Sequence, residues 1–110
     1  MQNQSKELTF LGFSIKARKI LYGANTIEGD RHTKYALLMC KSAGANTRKD
    51  MAALSRKWNI PCYVTTEALL EELVFRNNCK TAALTDKALA QAFLSNLTGQ
   101  FELFEGGEDK

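Results

Sequence analysis

The fold is decided by residues 35–40, which read Tyr-Ala-Leu-Leu-Met-Cys. An uninterrupted apolar run of this length is typical of a strand that is buried on both faces of a sheet. On either side of it, segments with helical spacing alternate with short strand-like runs along nearly the whole chain. This alternation predicts an α/β protein in which a sheet of four strands lies between layers of helices.

The remaining elements follow from spacing and from capping residues. Three further strands are predicted at residues 18–22, 62–64 and 81–84. Five helices are predicted, and they cover 5–17 with Ser5 as N-cap, Asn25 to about Thr33, Asn46 to Trp58, a segment that begins at Thr66, and Thr85 or Asp86 to about Leu97. The second helix is the least regular because Gly29 and Asp30 interrupt it.

Length and composition are those of a single globular domain. The chain has 110 residues, of which 45% are hydrophobic and 25% charged, and a domain of this size needs no metal or disulfide. The last ten residues hold four acidic residues and one lysine, so without them the net charge rises from +3 to +6. We therefore expect a basic domain over residues 1–100, suited to an anionic partner, and a flexible acidic tail over residues 101–110.

The sequence also bears on compartment and cofactors. No apolar run reaches the roughly 18 residues of a membrane span, and the polar N-terminus lacks the apolar segment of a signal peptide, so we expect a cytoplasmic protein with no membrane partner. Cys40 and Cys62 fall in strand-like runs and are expected to be buried thiols, whereas Cys79 is expected in an exposed loop. With His32 as the only histidine and no CxxC pair, no metal or other cofactor is predicted.

The most informative candidate site is the turn Gly23-Ala24-Asn25-Thr26, which follows a strand and opens a helix. Backbone N–H groups at the start of a helix attract phosphates, and a glycine lets a phosphodiester approach closely. The Asn25 amide can both donate to and accept from a base edge, and Thr26 offers a hydroxyl. The turn therefore predicts an RNA contact, with an ordinary strand-to-helix turn capped by Asn25 as the alternative.

Basic and amide side chains supply further candidate RNA contacts. The basic residues that flank the turn in sequence are expected to converge on it; they are Lys16, Arg18, Lys19, Arg31 and Lys34. A polar loop further along the chain is expected to meet unstacked bases or phosphates, or else to be a plain surface connection. Its candidate residues are Phe75, Arg76, Asn77 and Asn78.

Catalytic patterns are missing from the sequence. His32 has no Ser or Cys nucleophile in a recognisable motif. Glu71 and Glu72 are adjacent on a predicted helix and point in different directions, so they form no acid/base pair. The turn at Gly23 is neither a GxxxxGK[ST] nor a GxGxxG loop. The sequence predicts a protein that is not an enzyme.

Several short strings are informative when their order is considered together. They are Leu11-Gly12, Ala17-Arg18-Lys19, Tyr22-Gly23, Tyr35 to Met39, Asn46 to Lys49, Asn59-Ile60-Pro61 and Ala83 to Lys87. Across roughly residues 8–97, this series resembles the ribosomal protein L7Ae/L30e/S12e/Gadd45 family, in particular its small bacterial L7Ae-like members of the YlxQ type. The resemblance implies a three-layer α-β-α sandwich with a mixed four-stranded sheet, and binding to kink-turn RNA.

The resemblance also implies roles for individual positions. In members that bind kink-turn RNA, a glycine turn enters the bent RNA, an Asn-Glu pair reads sheared G·A pairs, and a Lys one turn on meets phosphate. By position, Gly23 is the turn glycine and Asn25 the Asn. Thr26 stands where Glu is common and Gly29 where Lys is common, which removes contacts worth about 1–3 kcal/mol each. The loop at about 75–80 matches one that covers flipped-out bases.

Two functions follow from these observations. The leading hypothesis is a non-catalytic RNA-binding protein that recognises kink-turn-like or rRNA-like structured RNA in association with the ribosome. The alternative is a protein-interaction module that keeps the fold and has lost specific RNA binding, as the departures at Thr26 and Gly29 suggest. Under that alternative, Phe101, Leu103 and Phe104 either dock on a partner or fold back onto the sheet of this chain.

Overall fold

The predicted central strand lies at Ala36–Met39, and all four of its residues are buried. A computed structural model describes residues 6–105. Within them the elements, in chain order, are α1 (Lys6–Lys16), β1 (Ile20–Tyr22), α2 (Ala24–Gly29), β2 (Ala36–Met39), α3 (Ala45–Trp58), β3 (Cys62–Thr65), α4 (Leu70–Leu73), β4 (Thr81–Leu84), α5 (Lys87–Ser95) and β5 (Phe101–Leu103). The chain is thus an α/β protein, as predicted. The proposed N-cap Ser5 lies outside the described residues.

The five strands form one mixed sheet in the order β1-β4-β2-β3-β5. β2 and β3 are parallel, and the helix between them, α3, makes the crossover that parallel neighbours require. The other three pairs, β1 with β4, β4 with β2 and β3 with β5, are antiparallel.

Alternate residues of the central strands belong to two separate apolar clusters, because successive side chains of a strand point to opposite faces. Ala36 and Leu38 of β2 pack in a cluster with residues of α1, α4 and α5. Leu37 and Met39 pack in a cluster with residues of α2 and α3. The continuous apolar run at residues 35–40 therefore reflects a strand that contributes to both clusters.

The prediction of four strands and of a flexible tail from residue 101 is wrong for residues 101–103, which form the fifth strand. Phe101 is buried and its ring meets Phe93 edge-on, with 5.2 Å between the ring centroids. The gain from burying this aromatic side chain outweighs the acidic composition around it. Residues 106–110 lie outside the described part of the chain.

A buried carboxylate fastens the segment that leads into β5. Glu7 is fully buried and accepts hydrogen bonds from the Thr98 N–H, the Thr98 hydroxyl and the Gln100 N–H at 2.9, 2.6 and 3.0 Å. Burial by itself raises the pKa of a carboxyl group, but these hydrogen bonds outweigh it and hold the pKa of Glu7 below its ordinary value. Such charge-assisted bonds explain how the chain before β5 is ordered.

The predicted N-caps Asn25, Asn46 and Thr66 are wrong. Of the two residues predicted to cap α5, Asp86 is confirmed. Asn25 and Asn46 lie inside α2 and α3, whose N-caps are Gly23 and Gly44. The Thr66 hydroxyl donates instead to the Gly99 carbonyl, and α4 begins four residues later. Asp86 does cap α5, since its carboxylate accepts from the Leu89 N–H at 2.9 Å. The predicted stop of α3 is confirmed, with Asn59 in the left-handed conformation as its C-cap.

The register defines two ends of the sheet that matter for the site. At one, called the glycine end, lie Gly23 after β1, Thr81 at the start of β4 and Cys40 after β2. At the other, called the lysine end, lie Lys19 before β1 and Thr85 after β4, and the Thr85 N–H donates to the Lys19 carbonyl at 3.0 Å.

Candidate functional site

The turn at Gly23 has a backbone that only glycine adopts readily. Gly23 has φ +90°, and its N–H donates to the Thr81 carbonyl at 3.1 Å, which ties the turn to the start of β4. The Gly23 carbonyl then accepts from the Ile27 N–H at 2.9 Å and starts α2. Ile27 is fully buried, so the first turn of the helix is anchored from below. The sequence-based assignment of a glycine turn at this position agrees with the structure.

The polar residues of the turn are free to meet a ligand. Asn25 and Thr26 are exposed and lie in the first turn of α2. Gly23 has no side chain to cap the helix, so the first N–H groups of α2 face solvent or a ligand. Because α2 has only six residues, the exposed amide and hydroxyl matter more for recognition here than a helix dipole.

The same four residues, Gly-Ala-Asn-Thr, recur at positions 44–47. They begin α3 with the same pattern, since Gly44 is the N-cap and its carbonyl accepts from the Arg48 N–H at 3.0 Å. The backbone differs, however, because Gly44 has φ −78°, a value open to any residue. The repeat is visible in the sequence, whereas the conformational difference is set by the tertiary structure.

The polar loop before β4 lies beside the Gly23 turn. The Arg76 guanidinium stacks over the ring of Tyr22, with Cζ 4.2 Å from the ring centroid. Tyr22 is the residue directly before Gly23. Burial raises the pKa of the Tyr22 hydroxyl, although the charge of Arg76 opposes this shift. Arg76 is thereby held next to the turn by a cation–π contact.

Two loop residues adopt left-handed backbone conformations that turn their side chains outward. Phe75 has φ +58° and its side chain is 84% exposed, while Asn78 also has φ +58° and is exposed. A bulky residue rarely adopts such a conformation, and an exposed phenylalanine offers a face for stacking. Asn77 is exposed between them.

A carboxylate braces this loop from the side of α4. Glu71 Oε2 accepts from the Asn78 N–H at 3.1 Å, and Glu71 Oε1 lies 2.9 Å from Lys80 Nζ. The hydrogen bond from Lys80 lowers the pKa of Glu71, and the same bond raises the pKa of Lys80. Lys80 Nζ also donates to Ser42 Oγ at 2.9 Å. Both groups stay charged at neutral pH, so the loop is fixed by an ion pair.

The basic residues before β1 do not converge on the turn as predicted. Lys16, Arg18 and Lys19 are exposed at the lysine end, on the far side of β1 from Gly23. The three residues of β1 separate Lys19 from Gly23, and the four steps of extended chain span about 13 Å. The two groups of candidate residues are therefore separate patches along one edge of the sheet.

The basic residues after α2 also lie near the lysine end. Lys34 is 7% exposed, donates from Nζ to the Asp30 carbonyl, and lies 4.8 Å from the centroid of the Trp58 ring. Arg31 is exposed and lines a cavity with Lys34 and Trp58. The expectation that both residues flank the Gly23 turn is not met, because α2 carries the chain back along the sheet before they occur.

Three residues that help to shape the candidate site are not among the candidate RNA contacts predicted from the sequence. They are Tyr22, which holds Arg76, and the pair Glu71 and Lys80, which fixes the loop. Of these residues, only Tyr22 has a local sequence signal, because it lies directly before the turn glycine. The ion pair joins residues of a helix and a loop, and no local spacing rule predicts it.

The three cysteines belong to the apolar clusters on the two faces of the sheet. Cys40, Cys62 and Cys79 are all buried free thiols, so the expected exposure of Cys79 is wrong; its Sγ donates to the Thr81 carbonyl at 3.4 Å. Burial raises the pKa of Cys62 to about 12. Among residues 6–105, no group of three or more His, Cys, Asp or Glu side chains could hold a metal ion. None of the helices in this part of the chain has the length and apolar character to cross a membrane.

Comparison with known proteins supports the fold alone. No protein-family model and no curated protein matches this chain. A solved structure of a protein with unknown function from Bacillus halodurans C superposes with a TM-score of 0.68 and is 18% identical. The match covers 84% of this chain and 96% of that chain, so the similarity extends over nearly the whole of the other protein.

Proposed function

We propose that this protein binds structured, kink-turn-like RNA at the glycine end of its sheet and is a non-catalytic member of the L7Ae/L30e-like proteins. One observation carries the proposal: the exposed Asn25 and Thr26 lie beside a loop that is far away in sequence. The contacts that join them are the Gly23–Thr81 hydrogen bond and the stacking of Arg76 on Tyr22. The three-layer arrangement of the sandwich belongs to the same proposal.

The chemistry of this surface suits RNA with unpaired bases. The Asn25 amide can read a base edge, and the exposed Phe75 ring can stack on a base that leaves the helix. Arg76 adds a positive charge and a planar donor group next to the turn. These three side chains come from two segments and are suited to base edges and unstacked bases. A straight duplex keeps its bases paired and stacked, so it offers them fewer contacts than a bent RNA.

The lysine-end residues fit the proposal as backbone contacts. Lys16 ends α1, and Arg18 and Lys19 lie in the segment that leads into the edge strand β1. Lys19 is about 13 Å from the turn, a distance that an RNA helix spans. Contacts of this kind are made to phosphates and do not depend on sequence. Lys19→Ala therefore weakens binding to bent and straight RNA alike, and it lowers the salt dependence of binding.

The decisive experiment compares a fluorescently labelled kink-turn RNA with a duplex of matched length and composition. We expect the wild-type protein to prefer the kink-turn, and Asn25→Ala to reduce that preference roughly tenfold through the loss of one base contact. The matched control is Asn46→Ala, since Asn46 occupies the same position of the second Gly-Ala-Asn-Thr segment and is also exposed. Asn46→Ala leaves the preference unchanged.

Equal, weak and salt-sensitive binding of the wild type to both RNAs would overturn specific recognition, because phosphate contacts alone do not discriminate. That outcome would favour the alternative of a protein-interaction module. The burial of Phe101 in β5 removes it from the residues open to a partner, while Leu103 stays 49% exposed. An equal loss in the Asn25→Ala and Asn46→Ala variants would move the proposed site away from the Gly23 turn.

A further inference from the structure

The lysine end contains a polar cavity that the RNA surface at the glycine end does not use. It has a volume of about 360 Å³ and lies between the end of α2 and the end of α3, at the lower end of the size range of small-ligand sites. Its cationic lining residues are Arg31 from the segment after α2, Lys34 before β2 and Lys57 on α3. Trp58 forms part of the wall.

The buried lysine of this cavity has no anionic partner among the residues that the structure describes. Lys34 is 7% exposed, and its ammonium group donates to the backbone carbonyl of Asp30. No carboxylate of residues 6–105 lies within 4.0 Å of it. The ring of Trp58, 4.8 Å away, offers only a cation–π contact. A buried charge is costly unless it is paired, so this ammonium group has the capacity to bind a further anionic group.

The acidic residues of the cavity do not neutralise its cations. Asp30 accepts from the His32 N–H at 2.7 Å, and its Oδ1 lies 2.7 Å from His32 Nδ1. The hydrogen bonds from His32 contribute most to the lowered pKa of Asp30, and the charge of Lys34 contributes less, since the carboxylate forms its ion pair with His32 and none with Lys34. Glu28 is exposed at the rim. Arg31, Lys34 and Lys57 outnumber the two carboxylates.

We propose that this cavity is a second ligand site, which binds the phosphate group of a nucleotide, either free or within an RNA strand. Arg31 and Lys57 contact the phosphate from the exposed side, and Lys34 meets it from the buried side. A guanidinium and two ammonium groups are the donors that phosphate oxygens favour. The site does not depend on the proposed function, because it shares no residue with the Gly23 turn or the loop at 75–80.

The protein carries its own reporter for this test. Trp58 is the only tryptophan of the chain and forms part of the cavity wall, so intrinsic fluorescence reports on this site. The wild-type protein is titrated with inorganic phosphate, adenosine 5′-monophosphate, adenosine and a five-nucleotide oligoadenylate, and equilibrium dialysis with labelled adenosine 5′-monophosphate measures binding independently of emission. We expect saturable binding of phosphate and of the monophosphate, and none of adenosine.

Matched variants localise the binding. Arg31→Gln combined with Lys57→Gln removes two exposed cations of the cavity and lowers the affinity for the monophosphate about tenfold or more. Lys49→Gln combined with Arg56→Gln removes the same charge from other exposed positions of α3 and changes the affinity less than twofold. Glu28→Gln removes a negative charge at the rim that repels the phosphate, and it strengthens binding roughly two- to fivefold.

The outcomes separate the sources of the ligand and the two sites. Tighter binding of the monophosphate than of the oligoadenylate assigns the cavity to a free nucleotide, and the reverse assigns it to an RNA strand. Asn25→Ala leaves binding at the cavity unchanged, so a failure of the RNA proposal does not affect this test. The inference is overturned if dialysis detects no binding of the monophosphate, if adenosine binds equally well, or if the two double variants lose affinity equally.

Discussion

The segments at residues 23–26 and 44–47 have the same sequence, Gly-Ala-Asn-Thr, and start two helices in the same way. They differ in the backbone of the glycine, which has φ +90° at Gly23 and φ −78° at Gly44. They also differ in their surroundings, since the side chain of Arg48 folds over the loop before α3. Identical residues thus start a helix with a glycine of either positive or negative φ, depending on what the rest of the chain places beside them.

The loop before α3 is held by the side chain of Arg48, which the sequence places on a polar helix face. Arg48 Nε donates to the Ala43 carbonyl at 3.0 Å, and its Nη2 donates to the Lys41 carbonyl at 2.8 Å. Beside the Gly23 turn, Arg76 is stacked on Tyr22 instead. One arginine thus satisfies the backbone of its own loop, whereas the other presents its donors at the surface.

The largest expected effect comes from the two glycines. Gly23→Ala places a side chain at φ +90°, where it is strained although a Cβ would meet no atom within 4 Å, so the free energy of unfolding falls by about 1–3 kcal/mol. Gly44→Ala lowers it by less than about 1 kcal/mol, the cost of replacing a glycine N-cap with alanine. Urea denaturation of the two variants checks the difference, and equal losses would show that the backbone conformations of the two turns are equivalent.

The second expected effect concerns the two arginines. Arg48→Ala leaves the Ala43 and Lys41 carbonyls without their donors and lowers the free energy of unfolding by about 1–2 kcal/mol, since water replaces the donor at the exposed Lys41 carbonyl. Arg76→Ala removes an exposed cation–π contact and costs about 0.5–1 kcal/mol, but it weakens binding of kink-turn RNA. Thermal unfolding and RNA titration of both variants check this division of roles. A stability loss at Arg76 as large as that at Arg48 would contradict it.

The smallest effect is expected in the loop at 75–80, beside the Gly23 turn. The folded-state pKa of Glu71 is lowered, so the brace to Asn78 and Lys80 is complete above the pKa of a free glutamate, about 4.3, and is lost as the pH falls through the lower folded-state value. We expect the Asn78 amide signal in NMR spectra to titrate with a midpoint below the pKa of a free glutamate. Glu71→Gln produces faster amide exchange of Asn78 at neutral pH, whereas Glu72→Gln does not.

Much of the fold could be predicted from local patterns. The apolar run of β2, the stop of α3 at Asn59 and the cap of α5 at Asp86 agree with the structure, because each depends on burial or on capping within a few residues. Strand β5 is not among the predicted strands because its acidic neighbours suggest a tail, although the alternative that Phe101 and Leu103 fold back onto the sheet agrees with the structure. It forms because Phe101 finds Phe93 and because Glu7 binds the segment before it.

The candidate site was predictable in its parts and not in its arrangement. The turn glycine and the exposed amide of Asn25 follow from the sequence, whereas the contact between the turn and the loop at 75–80 is a result of the tertiary structure. The separation of Lys19 and Lys34 from the turn could not be predicted from their positions in the sequence. Lys19 precedes β1 and Lys34 follows α2, and the direction of these two short elements places both residues near the lysine end, away from Gly23.

The α/β class, the buried central strand and the position of a glycine turn at residue 23 follow from the sequence alone, since these depend on periodicity and on the properties of single residues. Which copy of Gly-Ala-Asn-Thr has a glycine of positive φ depends on the tertiary structure. That choice depends on the pairing of β1 with β4, which ties Gly23 to Thr81, and on the reach of Arg48 over its own loop. Both are contacts between elements, and the short segment of sequence they act on is the same in each copy.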